Sequence, residues 1–306
     1  MCLYVVKGWR ILAKIAVELE RAIQARKISG EPGEATSRTL AQGDGWRVAD
    51  VICTSGPDDR PFEERHAGVS IAVVAAGTFQ YRSRGSDLLA PGSLLLGTPD
   101  QLYECAHHHG EGDRCVSFHY TEEFFESVVE SQPRFRVQRL PPLRDSAPLV
   151  ARACATLGTT HDVAWEELAI EIAAKAVMLA NDIDCDADEP PPGAIARVTQ
   201  AVRAMEESPL PLRELASDAR LSPYHFLRTF TRVAGVTPHQ FVLRSRLREA
   251  AVRLATDDAR VIDVAFDSGF GDVSNFNRAF RAEFGVNPRG YRAGTNATRG
   301  APVVSS

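Results

Sequence analysis

Apolar positions along this chain follow two different periods. From Trp46 to Tyr120 they fall in short alternating or unbroken runs, WRVADVICT, VSIAVVAAG, TFQYRSR, SLLLG, QLYECAH and RCVSFHY, separated by glycine and proline turns. Many short strands at close spacing predict a small β-barrel or sandwich. On either side of this stretch the period is helical. Ile11, Leu12, Ile15, Ala16, Leu19 and Ile23 form a stripe at helical spacing, for which a docked helix, a loose arm and a start site placed too far upstream are all open readings. Glu122 to Glu130 reads as a helix with Thr121 as its N-cap. Helical texture returns from Pro148, most clearly in WEELAIEIAAKAVMLAND, so two helices are expected on or beside the barrel. The acidic, then proline-rich DIDCDADEPPPG, residues 182–193, has too little apolar content to join a core and reads as a linker.

Beyond the linker the pattern is almost wholly helical, with helices expected at Ala194–Ser208, Leu212–Ala219, Pro223–Val233, Pro238 to about Thr256, Arg260–Asp267 and Val273–Phe284, and a short last one from Pro288. Local signals mark the ends. Ser222 precedes a proline at the first helical position, Gly235 follows where a left-handed cap is wanted, and Thr237-Pro238-His239-Gln240 has capping-box spacing. This region is also duplicated. Phe226, Arg228, Phe230, Gly235 and Pro238 recur 50 residues later as Phe276, Arg278, Phe280, Gly285 and Pro288, while upstream the offset is 49, Leu215-Ala216 matching Val264-Ala265 and Leu221 matching Phe270.

A short helix, a tight turn and a second helix form the helix-turn-helix unit, whose second helix enters the DNA major groove. At about 100° per residue Phe226 and Phe230 share one face, so Tyr224, Leu227, Arg228 and Thr231 point outward; in the second copy Ser274, Asn277, Arg278 and Arg281 do. Arginine and asparagine read guanine and adenine edges in bidentate fashion. The helix from Pro238 to Thr256 has 19 residues. At 1.5 Å per residue it is about 28 Å long, close to the roughly 34 Å between successive major grooves on one face of the duplex.

The segments PLRELASDARLSPYHFLRTFTRVAGVTPHQFVLRSRLREAAVRLA and IDVAFDSGFGDVSNFNRAFRAEFGVNPRGYR resemble the DNA-binding domain of the AraC/XylS family of bacterial transcription regulators. The resemblance implies two recognition helices in adjacent major grooves, with base contacts at Tyr224, Leu227 and Arg228 and at Ser274, Asn277 and Arg278. The helix N-termini at Ser222 and Asp272 lie where backbone N–H groups meet phosphate, although the Asp272 carboxylate would repel one. Leu227 departs from the polar residue often found there, which suggests an apolar contact such as a thymine methyl. The resemblance also implies RNA polymerase as a partner.

Charge sharpens this division. The net charge is −5 over 306 residues, but from Gly193 onward there are 16 arginines, no lysine and 11 acidic residues, a net +5 that leaves −10 for the first 192. The basic part is the one expected to meet a polyanion. No apolar run approaches the roughly 20 residues of a membrane span, so no membrane partner is expected. Six cysteines scattered at 2, 53, 105, 115, 154 and 185 are not a disulfide framework, and a reducing cytoplasm is the expected location.

The stretch RHAGVSIAVVAAGTFQYRSRGSDLLAPGSLLLG resembles cupin-like sensor domains, though His66 stands alone, without the His-x-His and Glu of metal-binding cupins. The expected fold is thus α+β in two domains: residues 1–40 a helix or arm, 41–181 a cupin-like β-barrel sensor with flanking helices, 182–193 a linker, 194–294 an all-α domain of two helix-turn-helix units joined by a long helix, and 295–306 a disordered tail. A small-molecule effector acting on the sensor, and a homodimer formed through the helices near Ala164 to Asn181, are expected. The run YECAHHHGEGDRC adds another candidate input. If it forms a hairpin with a five-residue turn, Cys105, His107, His109 and Cys115 gather as zinc or redox ligands; with a four-residue turn Cys115 faces the other way. No phosphate loop, nucleophile elbow, His-Glu-x-x-His or paired carboxylates appear, so no enzymatic activity is expected. The rival class is a cupin-type metal-dependent enzyme with a helical appendage.

Overall fold

The computed structural model describes residues 12–108, 110–129, 134–158, 163–183, 190–191, 193–207 and 210–299. The N-terminal half is built on two antiparallel sheets. One has six strands in the order β1 (Ala35–Gly43), β2 (Trp46–Cys53), β9 (Asp113–Tyr120), β4 (Val69–Gly77), β7 (Leu94–Gly97), β10 (Arg139–Leu140). The other has four, β3 (Phe62–Arg65), β8 (Leu102–Ala106), β5 (Phe79–Arg82), β6 (Ser86–Leu89). The expected α+β class and strand-rich first half hold, but the described strands pack as two facing sheets and do not close into a barrel.

The unbroken run VSIAVVAA is explained by burial on both faces of β4. Successive side chains alternate. Ala72 and Val74, with Cys115 of β9, face the smaller sheet and meet Phe79, Tyr81 and Leu89. Ile71 and Val73, with Val116 and Phe118, face a helical layer made of α1 (Leu12–Ser29), α3 (Ala147–Thr156) and α4 (Trp165–Asp182). The first helix is docked, by Ile15, Leu19 and Ile23 and by the buried Arg114, which reaches the Ile15 carbonyl and Glu18 while holding Asp50 at 2.8 and 2.9 Å. Between the strands and α3, α2 (Glu122–Val129) carries a buried Phe125.

The second half contains α5 (Ala194–Glu207), α6 (Leu212–Asp218), α7 (Pro223–Ala234), α8 (Pro238–Thr256), α9 (Val261–Asp267), α10 (Val273–Phe284) and α11 (Pro288–Arg299). Helix α11 continues past residue 294, so the expected tail is helical as far as Arg299. The two helical units have separate cores, Val198, Val202, Leu215, Phe226, Phe230 and Phe241 in one, and Leu247, Leu254, Val264, Phe270, Phe276 and Phe280 in the other.

The halves are not joined by the linker alone. Leu88 and Ala90 enter the core of the first unit, Ala151 enters that of the second, and Val252 and Ala255 of α8 join the core beneath the six-stranded sheet. Buried and half-buried polar groups seal the seam: Arg248 Nη1 donates to the Pro91 carbonyl at 3.3 Å, Arg244 to that of Pro142 at 2.6 Å, and Arg139 to that of Ala234 at 3.1 Å. Residues 182–193 are the stretch read from the sequence as a linker between the halves. Few of those residues lie among the described ones, and a continuous packed interface exists beside them.

Candidate nucleic-acid interface

Each reading helix starts and stops where its sequence dictates. The Ser222 hydroxyl accepts from the His225 N–H at 3.3 Å, Pro223 occupies the first turn, and Gly235 closes α7 at φ +75°. In the second copy the Asp272 carboxylate accepts from the Asn275 N–H at 2.7 Å and Gly285 closes α10 at φ +76°. Between them, Thr237 and Gln240 form the capping box that opens α8. An N-cap of this kind contributes about 1 kcal/mol.

The buried stripes are the predicted ones: Phe226, Phe230, Phe276 and Phe280 are all fully buried. Outward on α7 stand Tyr224, 63% exposed, and Arg228, with Leu227 and Thr231 half-buried beside them. Arg228 Cζ lies 5.9 Å from the Tyr224 ring centroid, a cation–π contact that holds the guanidinium out along the helix surface. Outward on α10 stand Ser274, Asn277, Arg278 and Arg281, all exposed. Arg278 Nη2 donates to Asn275 Oδ1 at 3.4 Å, a weak bond that a base edge can replace. Ser222 is exposed as well, and the packed sensor leaves the exposed members of both rows in solvent.

The structure adds groups that the repeat alone did not mark. Arg260, Arg289 and Arg292 line one open cleft with Asn277, Arg278 and Arg281. Arg292 is committed to the fold, donating to the Ala259 carbonyl at 2.6 Å, and Arg260 pairs with Asp263 at 2.8 Å. Arg289 is the exposed addition, legible only once α11 is seen to begin beside α10.

The sensor half places its expected ligands differently. Strands β8 and β9 do not form a hairpin: β8 pairs with β3 and β5, and β9 with β2 and β4. Neither turn register therefore applies. Cys105 and Cys115 are buried in the small core between the sheets, where burial pushes both thiols well above their usual range. His109 lies outside the described residues. His107 lies instead beside Asp113, with Nε2 2.7 Å from Oδ1, and beside Cys53, which sequence reading had not included. Burial alone would lower the His107 pKa, but the hydrogen bond and charge of Asp113, together with Cys53, raise it to about 10. His66 has both nitrogens partnered, by Tyr81 at 2.8 Å and Ser70 at 3.1 Å, and burial lowers it to about 4. It is a satisfied core histidine.

Two helix-turn-helix units on a shared long helix, each with an outward arginine between buried phenylalanines, define a class of DNA-binding domain. The protein-family model described as "Helix-turn-helix domain" matches residues 215–294. The HTH-type transcriptional activator RhaS of Klebsiella pneumoniae (strain 342) is 38% identical over 84 residues, 28% of this chain and 30% of that protein. The regulatory protein SoxS of Salmonella typhimurium is 33% identical over 86 residues, 28% of this chain and 80% of SoxS. The solved structure of unsaturated fatty acid bound ToxT from Vibrio cholerae is 12% identical, with a TM-score of 0.34, covering 82% of this chain and 96% of that one. The chain thus spans about a third of RhaS but most of SoxS. It belongs to the AraC family of helix-turn-helix transcriptional regulators.

Proposed function

We propose that this protein is a sequence-specific regulator of transcription that reads two adjacent major grooves of double-stranded DNA with α7 and α10. The observation that carries this reading is the pair of solvent-facing rows, Tyr224, Leu227, Arg228 and Thr231 on one helix and Ser274, Asn277, Arg278 and Arg281 on the other. Both are set on α8, whose 19 residues suit one turn of duplex. Arginine fits guanine O6 and N7, and asparagine fits adenine. The basic surroundings give the sequence-independent part of the affinity. The relatives are transcriptional regulators, which favours this reading over a cupin-type enzyme. Among the described residues no helix is long and apolar enough to cross a membrane, and a regulator that works with RNA polymerase acts in the cytoplasm.

Control by a small-molecule effector has a place in the fold. A cleft of about 700 Å³ lies between sensor and first unit, lined among others by Arg84, Phe135, Arg139, Ile195 and Arg232. A ligand there would touch both halves at once, so differential binding to two arrangements of the seam would shift their populations. Ile170 and Met178, exposed two turns apart on α4, offer the contact for a homodimer. Footprinting on a site selected from genomic DNA tests the core of the proposal: two protected stretches one helical turn apart are expected. Protection of a single groove, or equal affinity for all sequences at fixed salt, would overturn it.

A further inference from the structure

Cys53 ends β2, Asp113 begins β9 directly opposite it in the sheet register, and His107 lies in the connection that follows β8. Three separate segments thus bring a thiol, an imidazole and a carboxylate together, with ligand atoms all within 4.8 Å of one another. All three residues are buried, at 3%, 4% and 5% exposure. His107 Nε2 meets Asp113 Oδ1, but its buried Nδ1 has no hydrogen-bond partner among the described residues, an orphan that costs free energy in a protein interior. The other Asp113 oxygen accepts from Cys115 Sγ at 3.3 Å, the supporting contact that orients metal-binding carboxylates.

We propose that Cys53, His107 and Asp113 form a site for a divalent transition metal of the zinc type. Mixed sulfur, nitrogen and oxygen ligands suit zinc and its neighbours, and exclude calcium and magnesium, which take oxygen ligands. Three protein ligands leave one coordination position for water or a small anion. Binding replaces the Cys53 thiol proton and the proton held between His107 and Asp113, and both leave to solvent; no oxidant or reductant is involved.

The site adjoins the reader. His107, His108 and Gly110 line one narrow gap with Ile195 and Thr199 of α5, and a Cβ on Gly110 would stand 3.9 Å from Thr199 Cγ2. Drawing His107 toward a metal therefore acts on the loop that packs against the first helix of the DNA-binding half. This coupling deepens the regulatory reading and rests on it; the metal site itself does not.

The test uses the full chain, reduced and freed of metal with EDTA. Titration with Co²⁺ should saturate at one equivalent with a thiolate-to-cobalt charge-transfer band, and Zn²⁺ should displace the cobalt. The band should vanish in Cys53→Ser, weaken at least tenfold in apparent affinity in His107→Gln, and persist in Cys105→Ser and Cys154→Ser. A wild-type protein that binds no cobalt, or a cobalt adduct without a thiolate band, overturns the site whatever the variants do. Persistence of the band in Cys53→Ser, or its loss in Cys105→Ser, overturns this ligand set. For the coupling, Zn²⁺ should slow amide exchange at residues 195–199 at least threefold; unchanged exchange with metal bound overturns the coupling and leaves the site standing.

Discussion

The two helix-turn-helix units repeat the same bonds under different conditions. In the first, the Leu221 N–H donates to the Ala216 carbonyl at 2.9 Å; in the second, Phe270 donates to Ala265 at 3.2 Å. The turn residue just before is left-handed in both, but it is Arg220 at φ +54° in one and Gly269 at φ +79° in the other. The far ends differ too. Gly235 is pressed against Pro141 of the sensor, whereas Gly285 faces open space. The second unit touches the sensor through Ala151 and through Glu283, which Arg244 and Arg144 approach at 3.4 and 3.7 Å. Duplication therefore preserved the reading geometry while the surroundings diverged. The first unit closes its reading helix against the sensor, and the second gathers Arg260, Arg278, Arg281 and Arg289 around one open cleft.

The shared part is tested by the phenylalanines. Phe230→Ala and Phe280→Ala should each destabilise the chain by about 3 to 5 kcal/mol, through lost burial and an unfilled cavity. Chemical denaturation reads this. Similar losses at both positions are expected because both rings are fully buried; a tolerated substitution at either would mean that its unit does not need the stripe.

The divergent part is tested by the glycines that close α7 and α10. Both adopt positive φ, so alanine costs about 1 kcal/mol at each for conformation alone. At Gly285 none of the described residues lies within 4 Å of the added Cβ, and the cost should stop there. At Gly235 the Cβ would stand 2.5 Å from Pro141 Cβ, so sensor or helix must shift, adding about 1 to 3 kcal/mol of overpacking. Equal melting shifts for Gly235→Ala and Gly285→Ala would break the claim that the first unit leans on the sensor.

DNA affinity separates reading from folding. Arg228→Ala and Arg278→Ala should each cost about 1 to 3 kcal/mol of specific binding with an unchanged melting temperature, since both side chains are exposed. Arg289→Ala should weaken binding across all sequences and flatten the salt dependence. Loss of stability in the arginine variants would invert the assignment of faces.

How much of this was legible depends on the range of the signal. Caps, the capping box and the phenylalanine stripes are local, governed by residues three or four apart, and the chain fulfils them where the sequence places them. Partnership is not local. QLYECAH and RCVSFHY read as one hairpin because they are neighbours in the chain, yet they belong to different sheets, and alternation says nothing about which strand lies beside which. Cys53 was invisible as a partner of His107 because some fifty residues separate them and strand pairing alone unites them. The domain seam was hidden for a further reason. Arg248, Glu249 and Arg253 make the end of α8 look solvent-facing, but all three are buried against neighbouring elements. Of these, Arg248 donates across the seam to the Pro91 carbonyl, while Arg253 pairs with Asp267 of α9 inside the helical half.

The smallest effect concerns the turn itself. A residue other than glycine held in the left-handed region costs about 1 to 2 kcal/mol, and a glycine there gives back about 0.4 to 1 kcal/mol of that through its larger unfolded-state entropy. Arg220 is exposed at φ +54°, so Arg220→Gly should stabilise the chain by about 0.5 to 1 kcal/mol without moving a buried group. Gly269→Ala should cost a similar amount, because its nearest obstacle is the Arg246 guanidinium at 3.3 Å, the far end of a side chain that can swing aside. Opposite signs at equivalent positions are the expected outcome in thermal unfolding. If Arg220→Gly destabilised instead, the arginine would be contributing more through its side chain than the turn loses through its backbone, and the first unit would owe its conformation to Arg220 as well as to the sensor beside it.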